Sequence, residues 1–429
     1  MRYIEMEYLK NASDVTGEKI TLPQSKEKSV VNKQAFTRNR KMTFVQLICF
    51  ILNGVKTTTQ TALNRYFVLL EKDIHMSQSA LSQARNKINY YMFKHLFELI
   101  AAIPYKNALI FRKCKGKKYK NRIVSAIDGT QVKLPHTTKL KEYFGTSGQG
   151  GKAVTGRCSI KYDVLGDVIM DACFDPFKVG ERAQAIEMLS HRTVWNTAKE
   201  LIIFDRGYYS REMVQILLKR QNTEFLMRIP TQRILAADAL GFGSHIIKLE
   251  FADGTNADIR VIKFVLSSGE VETLITNCYT KSWKTEDFKK LYFLRWPVET
   301  KYDIVKNKIA LENFSGSTVN TIYQDVYASL YMANIVATAK AEADRKISQE
   351  RSSKNNKYQY QANVNDIIGS FKDRFILAYI NDKYSDSDML TDVLSEIVHS
   401  VVPIRPGRSI IRPATTRKMK FYHNRKLNC

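Results

Sequence analysis

Short apolar stretches rich in β-branched residues alternate with helical patterns between positions 121 and 230, and this alternation limits the possible fold more than any other feature. The stretches IVSAIDGTQVKLP (123–135) and ELIIFDRGYYS (200–210) are typical of strands. The patterns ERAQAIEMLSHRTVW (181–195) and REMVQILLKRQ (211–221) are typical of helices. Strands and helices that alternate in this order pack as a sheet covered by helices, so the sequence predicts a mixed α/β sheet.

The regions around this core differ from it in pattern and divide the chain further. Positions 1–120 are mainly helical, and positions 231–279 contain short strands separated by DGTN and SSGE turns. The α/β pattern of 121–230 resumes at 280–345, and 346–429 is a helical C-terminal region with a basic tail. We therefore expect an α/β core in two segments, interrupted by a β-rich insertion.

The N-terminal helical region contains a segment typical of a helix–turn–helix, KDIHMSQSALSQARNKIN (72–89). Ser77 or Ser79 is suited to cap its second helix, whose exposed face would include Gln83 and Arg85. Such side chains suit contacts with base edges and phosphates of DNA. The alternative is an ordinary helical bundle with a polar outer face.

The charge of the chain is strongly positive, with 67 Lys and Arg residues against 42 Asp and Glu residues and a formal net charge of +25. Two runs, 106–122 and 405–429, each contain eight basic residues and no acidic residue. One such run is explained equally well as a solvated loop. Two of them in so basic a chain favour a nucleic-acid partner, DNA or RNA.

Other classes of protein are disfavoured by composition. No apolar run approaches the roughly 20 residues of a membrane span, and the N-terminus is too polar for a secretory signal. The six cysteines form no C-x-x-C pair, and the seven histidines form no H-x-H or H-E-x-x-H pattern, which argues against zinc sites and a disulfide framework. We therefore expect a cytoplasmic protein without membrane contact.

Two aspartates, Asp128 in SAIDGT and Asp205 in IIFDRG, each stand at the end of a strand pattern. An acid at such a position lies at the edge of the sheet, where ligands approach. Either aspartate alone is most simply a turn or cap residue, whereas two in one α/β region predict a joint site. Further acids lie in or near a hairpin predicted to turn at 165–167, and we expect them to be solvated, with Asp163 as an alternative site residue: Asp163, Asp167, Asp171 and Asp175.

The stretch YFLRWPVETKYDIVK (292–306) spaces four polar side chains at intervals of three, four and seven residues: Tyr292, Arg295, Glu299 and Lys306. On one continuous helix they would share a face, and a carboxylate among cations and a phenol suits a metal ion beside a phosphate. Pro297 interrupts this pattern, because proline is tolerated in the first turn of a helix but not in its interior. The proline predicts that the helix carrying Glu299 begins near Trp296.

The DGT strand, the FDRGY segment and the Y-x2-R-x3-E-x6-K spacing together resemble the DDE transposases of bacterial insertion sequences, and the Y-R-E-K spacing is that of the "insertion sequence four" family. The resemblance covers most of the chain. It implies a ribonuclease-H-like catalytic core interrupted by a β-rich insertion domain, with a helical N-terminal DNA-binding region. It implies that Asp128, Asp205 and Glu299 are catalytic and bind two Mg²⁺ ions, for which Mn²⁺ can substitute. It also implies that three further residues contact phosphates of the transposon end: Tyr292, Arg295 and Lys306.

The resemblance implies a cut-and-paste transposase that binds terminal inverted repeats, cleaves at the ends of the element and joins the freed 3′-hydroxyl to target DNA. Two ends must be processed, so a homodimer on double-stranded DNA is expected, associated with the nucleoid when bound. Two alternatives stay open. One is a catalytically inactive DNA-binding relative, and the other is a different ribonuclease-H-like nuclease, such as one that acts on RNA–DNA hybrids.

Overall fold

A computed structural model describes residues 7–38, 40–54, 57–106, 118–151, 153–191, 193, 198–266, 269–352, 357–377, 379 and 386–405. The chain divides into two compact units. The first unit comprises Met1–Ile103, Val132–Thr155 and Ile304–Cys429, and the second comprises Pro104–Gln131 and Gly156–Asp303. Most of the two basic runs expected to contact nucleic acid, at 107–117 and 406–429, lies outside the described residues.

The described residues form α-helices and β-strands, numbered here in chain order. The α-helices are α1 (Glu7–Thr21), α2 (Pro23–Ser29), α3 (Phe44–Leu52), α4 (Thr59–Leu69), α5 (Gln78–Arg85), α6 (Tyr91–Lys106), α7 (Thr138–Phe144), α8 (Glu181–Ser190), α9 (Arg211–Lys219), α10 (Leu235–Asp238), α11 (Thr285–Phe293), α12 (Pro297–Asp303), α13 (Val319–Glu350), α14 (Val364–Leu377) and α15 (Asp386–His399). The strands are β1 (Ile123–Lys133), β2 (Thr146–Ser147), β3 (Ala153–Asp163), β4 (Val168–Pro176), β5 (Glu200–Phe204), β6 (Thr223–Arg228), β7 (Gly243–Glu250), β8 (Asn256–Val265), β9 (Val271–Thr276), β10 (Gln359–Ala362) and β11 (Val401–Ile404).

The first unit is mainly helical and is organised around the 32-residue helix α13. Helices α1, α3, α14 and α15 all contact α13, and β10 pairs with β11 in an antiparallel ladder. The Thr318 hydroxyl accepts a hydrogen bond from the amide of Thr321 and so caps the start of α13. None of the described helices combines the length and apolar character needed to cross a membrane.

The segment 72–89 contains one helix rather than the two of a helix–turn–helix, so that prediction is wrong. Ser77 does cap α5, as predicted, because its hydroxyl accepts a hydrogen bond from the amide of Ala80 at 3.2 Å. The residues before it form a loop that Gln60 of α4 holds in place. The Gln60 amide group donates to the Met76 carbonyl at 2.9 Å and its oxygen accepts from the Gln78 amide at 3.1 Å.

The second unit contains a large mixed sheet, which confirms the predicted fold class at that level. Its strands follow the order β3-β1-β5-β6-β9-β8-β7, and both β4 and the two-residue β2 pair with β3. Strands β1, β5 and β6 run parallel, whereas the β3–β4 hairpin and the ladders from β6 through β9 and β8 to β7 are antiparallel. The strands expected at 231–279 are present as β7, β8 and β9, and they continue this sheet from β6.

The parallel strands are buried on both faces, which explains their continuous apolar sequences. All five residues of β5 are buried, and Phe204 pairs in register with Ile127 of β1 and Met227 of β6. Met188 of α8 and Leu217 of α9 belong to the same apolar cluster. This packing aligns β1 with β5, so that their paired segments end at the same edge of the sheet. The two aspartates come directly after those paired segments.

Candidate active site

Two aspartates stand side by side at the carboxyl edge of the parallel strands. The last paired residues of β1 and β5 are Ile127 and Phe204, and Asp128 and Asp205 come directly after them. Neighbouring strands lie about 4.8 Å apart, so equivalent positions on β1 and β5 bring the two carboxylates together. Asp205 also starts the 3₁₀ turn at Arg206–Tyr208, where its Oδ1 accepts a hydrogen bond from the Arg206 amide at 2.7 Å.

The Asp128 carboxylate lies in a confined and negatively charged environment. Burial raises its pKa to about 6; the nearby carboxylates of Glu181 and Asp205 add to the rise, while the Gly129 amide and the Arg295 guanidinium oppose it. A cation placed beside Asp128 would relieve this repulsion. The pair of aspartates is therefore suited to binding positive charge.

A third acid near Asp128, Glu181, was missed in the sequence. It begins helix α8 and its side chain packs against Gly129: a β-carbon added to Gly129 would lie 2.5 Å from Glu181 Cγ. Its carboxylate is 2.8 Å from Nη1 of Arg157. The glycine directly after Asp128 was a signal that a side chain approaches the backbone here, although it did not identify which one.

Tyr292 and Arg295 lie next to these acids. The Tyr292 hydroxyl donates to Oδ1 of Asp205 at 3.2 Å, and burial raises the pKa of Tyr292 so that it remains a donor. Arg295 is 9% exposed, and its Nη2 is 3.5 Å from Oε1 of Glu299. Burial alone would lower the pKa of Arg295, but the charges of neighbours led by Asp205 raise it, so the guanidinium stays charged.

The helix that carries Glu299 begins at Pro297, which confirms the prediction made from the proline. Helix α11 ends at Phe293, so the four polar residues of the motif do not share one helical face, and that expectation is wrong. Lys306 belongs to the other unit and lies in a π-helical turn, Ile304–Lys308, where its ammonium is 3.8 Å from the Glu312 carboxylate.

The donor set of the site suits a hard divalent cation. Carboxylate oxygens are the ligands that Mg²⁺ prefers, and the crowding around Asp128 favours a positive ion. Within the described part of the chain, however, no three His, Cys, Asp or Glu side chains are arranged to hold a metal ion. Asp128 and Asp205 are brought together, whereas the Glu299 carboxylate faces Arg295. Two of the three acids expected to bind metal are thus neighbours, and the third is engaged in an ion pair.

The acids expected to be solvated around the β3–β4 hairpin are in part buried, and for Asp163 and Asp171 that prediction is wrong. Asp163 is 2% exposed and accepts hydrogen bonds from the Tyr105 hydroxyl and from two amides of the hairpin turn. Asp171 is 6% exposed and contacts His191 at 2.8 Å. These bonds stabilise the hairpin and give the two acids structural roles.

The two residues proposed for DNA contact in the N-terminal region differ in location. Arg85 is 1% exposed and hydrogen-bonds to Gln324 and to Asp325 of α13, at 3.0 and 2.9 Å, so its predicted exposure is wrong. Gln83 is exposed and lines a cleft of about 980 Å³ in the first unit. Among the residues that the structure describes, five cationic and no acidic side chains line this cleft, which we call the basic cleft: Lys26, Arg38, Arg40, Lys41 and Lys87.

Comparisons with known proteins give a family model that matches the chain and a solved structure to which it is similar. A family model described as "Transposase DDE domain" matches residues 119–335, just over half of the chain. The chain is also similar to a solved structure described as a piggyBac transposase synaptic complex with hairpin DNA. That similarity has a TM-score of 0.45 and 9% sequence identity, and it covers 92% of this chain and 87% of the other. No curated protein sequence matches the chain.

Proposed function

The chain belongs to the transposase DDE domain family, and we propose that it is a transposase that binds terminal inverted repeats of an insertion sequence, cuts the DNA there and joins it to a target. The position of Asp128 and Asp205 at the ends of adjacent parallel strands carries this proposal, since a family of DDE enzymes requires two such acids to act together. The Y-R-E-K spacing supports assignment to the "insertion sequence four" group.

The proposed architecture has a ribonuclease-H-like core at 121–230 and 280–345, interrupted by a β-rich insertion at 231–279. The mixed sheet supports this, because the first acid is on the central strand β1 and the second follows its parallel neighbour β5. Strands β7, β8 and β9 supply the insertion between β6 and α11. Residues 1–120 form the DNA-binding region, and 346–429 form the C-terminal region.

Asp128, Asp205 and Glu299 are the proposed ligands of two Mg²⁺ ions, for which Mn²⁺ can substitute. When bound, such ions lower the pKa of a water molecule and neutralise charge on the phosphate and the leaving oxygen. Asp128 and Asp205 form the rigid part of the site, because Asp128 lies in β1 directly after its last residue paired with β5, and Asp205 directly follows β5. Glu299 becomes available when a DNA phosphate replaces its carboxylate beside Arg295, since guanidinium groups bind phosphate as well as carboxylate.

Tyr292, Arg295 and Lys306 are the proposed phosphate contacts. A protonated Tyr292 can donate to a phosphate oxygen as it now donates to Asp205. The positive charge of Arg295 next to three carboxylates keeps a polyanion close to acids that would otherwise repel it. Tyr292 and Arg295 therefore hold the strand against the catalytic edge.

The basic cleft supports DNA binding by the N-terminal region. Its rim of cations without acids attracts phosphates, and Gln83 of α5 can contact a base edge or a phosphate. Because two ends of the element must be cut, we propose that the protein acts as a homodimer on double-stranded DNA, in the cytoplasm and at the nucleoid.

The test is cleavage and binding of duplexes carrying the inverted repeats that flank the coding region. We expect Asp205→Ala to lose Mg²⁺-dependent cleavage and keep its affinity for the ends. Asp258→Ala, which changes an exposed acid of β8, is the matched control and should cleave normally. Full cleavage by Asp205→Ala would refute the proposed site. Binding without cleavage by the unaltered protein would indicate an inactive relative, and preference for RNA–DNA hybrid would indicate another nuclease.

A further inference from the structure

The helix that carries Glu299 is too short to hold its own position. Helix α12 has seven residues and continues directly into the π-helical turn Ile304–Lys308. Even together they are short, since isolated helices of up to about 12–15 residues are marginal in water. The location of α12 relative to the sheet must therefore come from side chains that anchor it. Two consecutive residues, Lys301 and Tyr302, are buried and provide such anchors.

The Tyr302 side chain contacts β1, the strand that contains Asp128. Its hydroxyl donates to the backbone carbonyl of Asp128 at 2.6 Å and also lies 3.3 Å from the carbonyl of Cys158 in β3. Burial raises the pKa of Tyr302 well above its ordinary value, so the hydroxyl remains a donor. One hydrogen bond thus connects the backbone of the first acid to the helix of the third.

The Lys301 side chain instead contacts the turn between β3 and β4. Its ammonium is 3.0 Å from Oδ1 of Asp167 and lies over the ring of Tyr162. Lys301 therefore holds α12 against the hairpin, whereas Tyr302 sets its distance from β1. Because Tyr302 is three residues after Glu299, the two side chains lie one turn apart on neighbouring parts of the helix surface.

We propose that Tyr302 is a positioning residue that sets the spacing between Asp128 and Glu299 through its hydroxyl, and thereby the affinity of the acidic site for a divalent cation. This inference rests on the proposed function. Tyr302 lies outside the Y-R-E-K spacing. Its proposed effect is on the geometry of the acidic site, and it contacts neither DNA nor the ion.

The test compares Tyr302→Phe with Tyr279→Phe. Tyr279 lies in the same unit, and its hydroxyl also donates to a backbone carbonyl, that of Asp258, so the control loses the same kind of bond away from the site. Mn²⁺ binding is measured by calorimetry on the full chain bound to a duplex end, and cleavage is measured across Mn²⁺ concentrations. Loss of an indirect partner of a metal site commonly weakens affinity 10- to 100-fold, and we expect about tenfold for Tyr302→Phe and no change for Tyr279→Phe.

A double-mutant cycle shows whether Tyr302 acts through Glu299. The Mn²⁺ affinity of Tyr302→Phe combined with Glu299→Gln should equal that of Glu299→Gln alone; additive losses would overturn the inference. Unchanged Mn²⁺ affinity in Tyr302→Phe would overturn it as well. If that variant does not fold, Asp167→Asn, which weakens the Lys301 anchor, should show a several-fold loss, and wild-type affinity would count against anchoring.

The two proposals fail in different ways. If the unaltered protein neither binds Mn²⁺ nor cleaves DNA, the proposed function is refuted. If it does both and Tyr302→Phe behaves like the control, only the positioning role is refuted.

Discussion

Substituting Gly129 by alanine tests the close packing of Glu181 against the strand that carries Asp128. The new methyl group would lie 2.5 Å from Cγ and 2.7 Å from Cδ of Glu181, and 3.0 Å from the hydroxyl oxygen of Ser159. Contacts this short cannot persist, so the Glu181 side chain must leave its position. We expect Gly129→Ala to displace this carboxylate from the neighbourhood of Asp128.

The stability that Gly129→Ala loses can be worked out from the contacts that Glu181 loses. Overpacking in a close-packed region costs about 1–3 kcal/mol, and the partly exposed ion pair with Arg157 contributes at most about 1 kcal/mol. Glu181 can rotate towards solvent, which places the expected loss at the lower end, about 1–2 kcal/mol. Replacing a glycine by alanine ordinarily stabilises a protein by about 0.4–1 kcal/mol, because it reduces the conformational entropy of the unfolded chain. A control variant is needed to subtract this gain.

Gly207→Ala is that control, because an added β-carbon there meets no atom within 4 Å. Urea unfolding followed by tryptophan fluorescence is the assay, since all three tryptophans fall within the second unit. Adding Glu181→Ala to Gly129→Ala should recover most of the loss, leaving a difference of less than about 1 kcal/mol from Glu181→Ala alone. Equal stability of Gly129→Ala and Gly207→Ala, or a loss that Glu181→Ala does not relieve, would refute the reasoning.

Two further predictions concern charged and polar residues. Burial raises the pKa values of Asp128 and Asp163 to about 6, so the folded chain binds protons that the unfolded chain releases. The free energy of unfolding of the second unit should therefore fall as pH rises from about 4 to 6, and Asp128→Asn should make this decline shallower in urea titrations. In the first unit, Arg85→Ala removes a buried guanidinium that pairs with the partly buried Asp325 and hydrogen-bonds to Gln324, and it should lower stability by about 3 kcal/mol in thermal unfolding. The exposed Gln83→Ala should leave stability within about 0.5 kcal/mol and weaken binding of duplex DNA instead.

The predictions of strands and helices that the structure confirms depend on the local chemistry of a few residues. Pro297 predicted the start of α12, because its ring is compatible only with the first turn of a helix. Ser77 predicted the cap of α5, because its hydroxyl can reach the third amide along the chain. The order of strands and helices in the core followed from β-branched runs that become buried in parallel strands.

Several differences between the predictions and the structure depend on contacts between residues far apart in the chain. Arg85 looked like an exposed helical side chain, but it is 239 positions from Gln324, to which it hydrogen-bonds. Asp163 looked like a solvated turn residue, but Tyr105 donates to it from an earlier helix. Glu181 had no motif at all, and its approach to Gly129 depends on how α8 lies across the sheet.

The sequence by itself determined which residues are proposed for the chemistry: two aspartates, each directly after the paired part of a buried strand, and a glutamate spaced from an arginine and a tyrosine. These signals are local, because strand ends and helix starts depend on a few neighbouring residues. Only the tertiary structure decided that Asp128 and Asp205 become neighbours, that Arg295 engages Glu299, and that Tyr302 connects α12 to β1. Those relations depend on strand register and helix packing, which the chain acquires only when distant segments bury their apolar faces against each other.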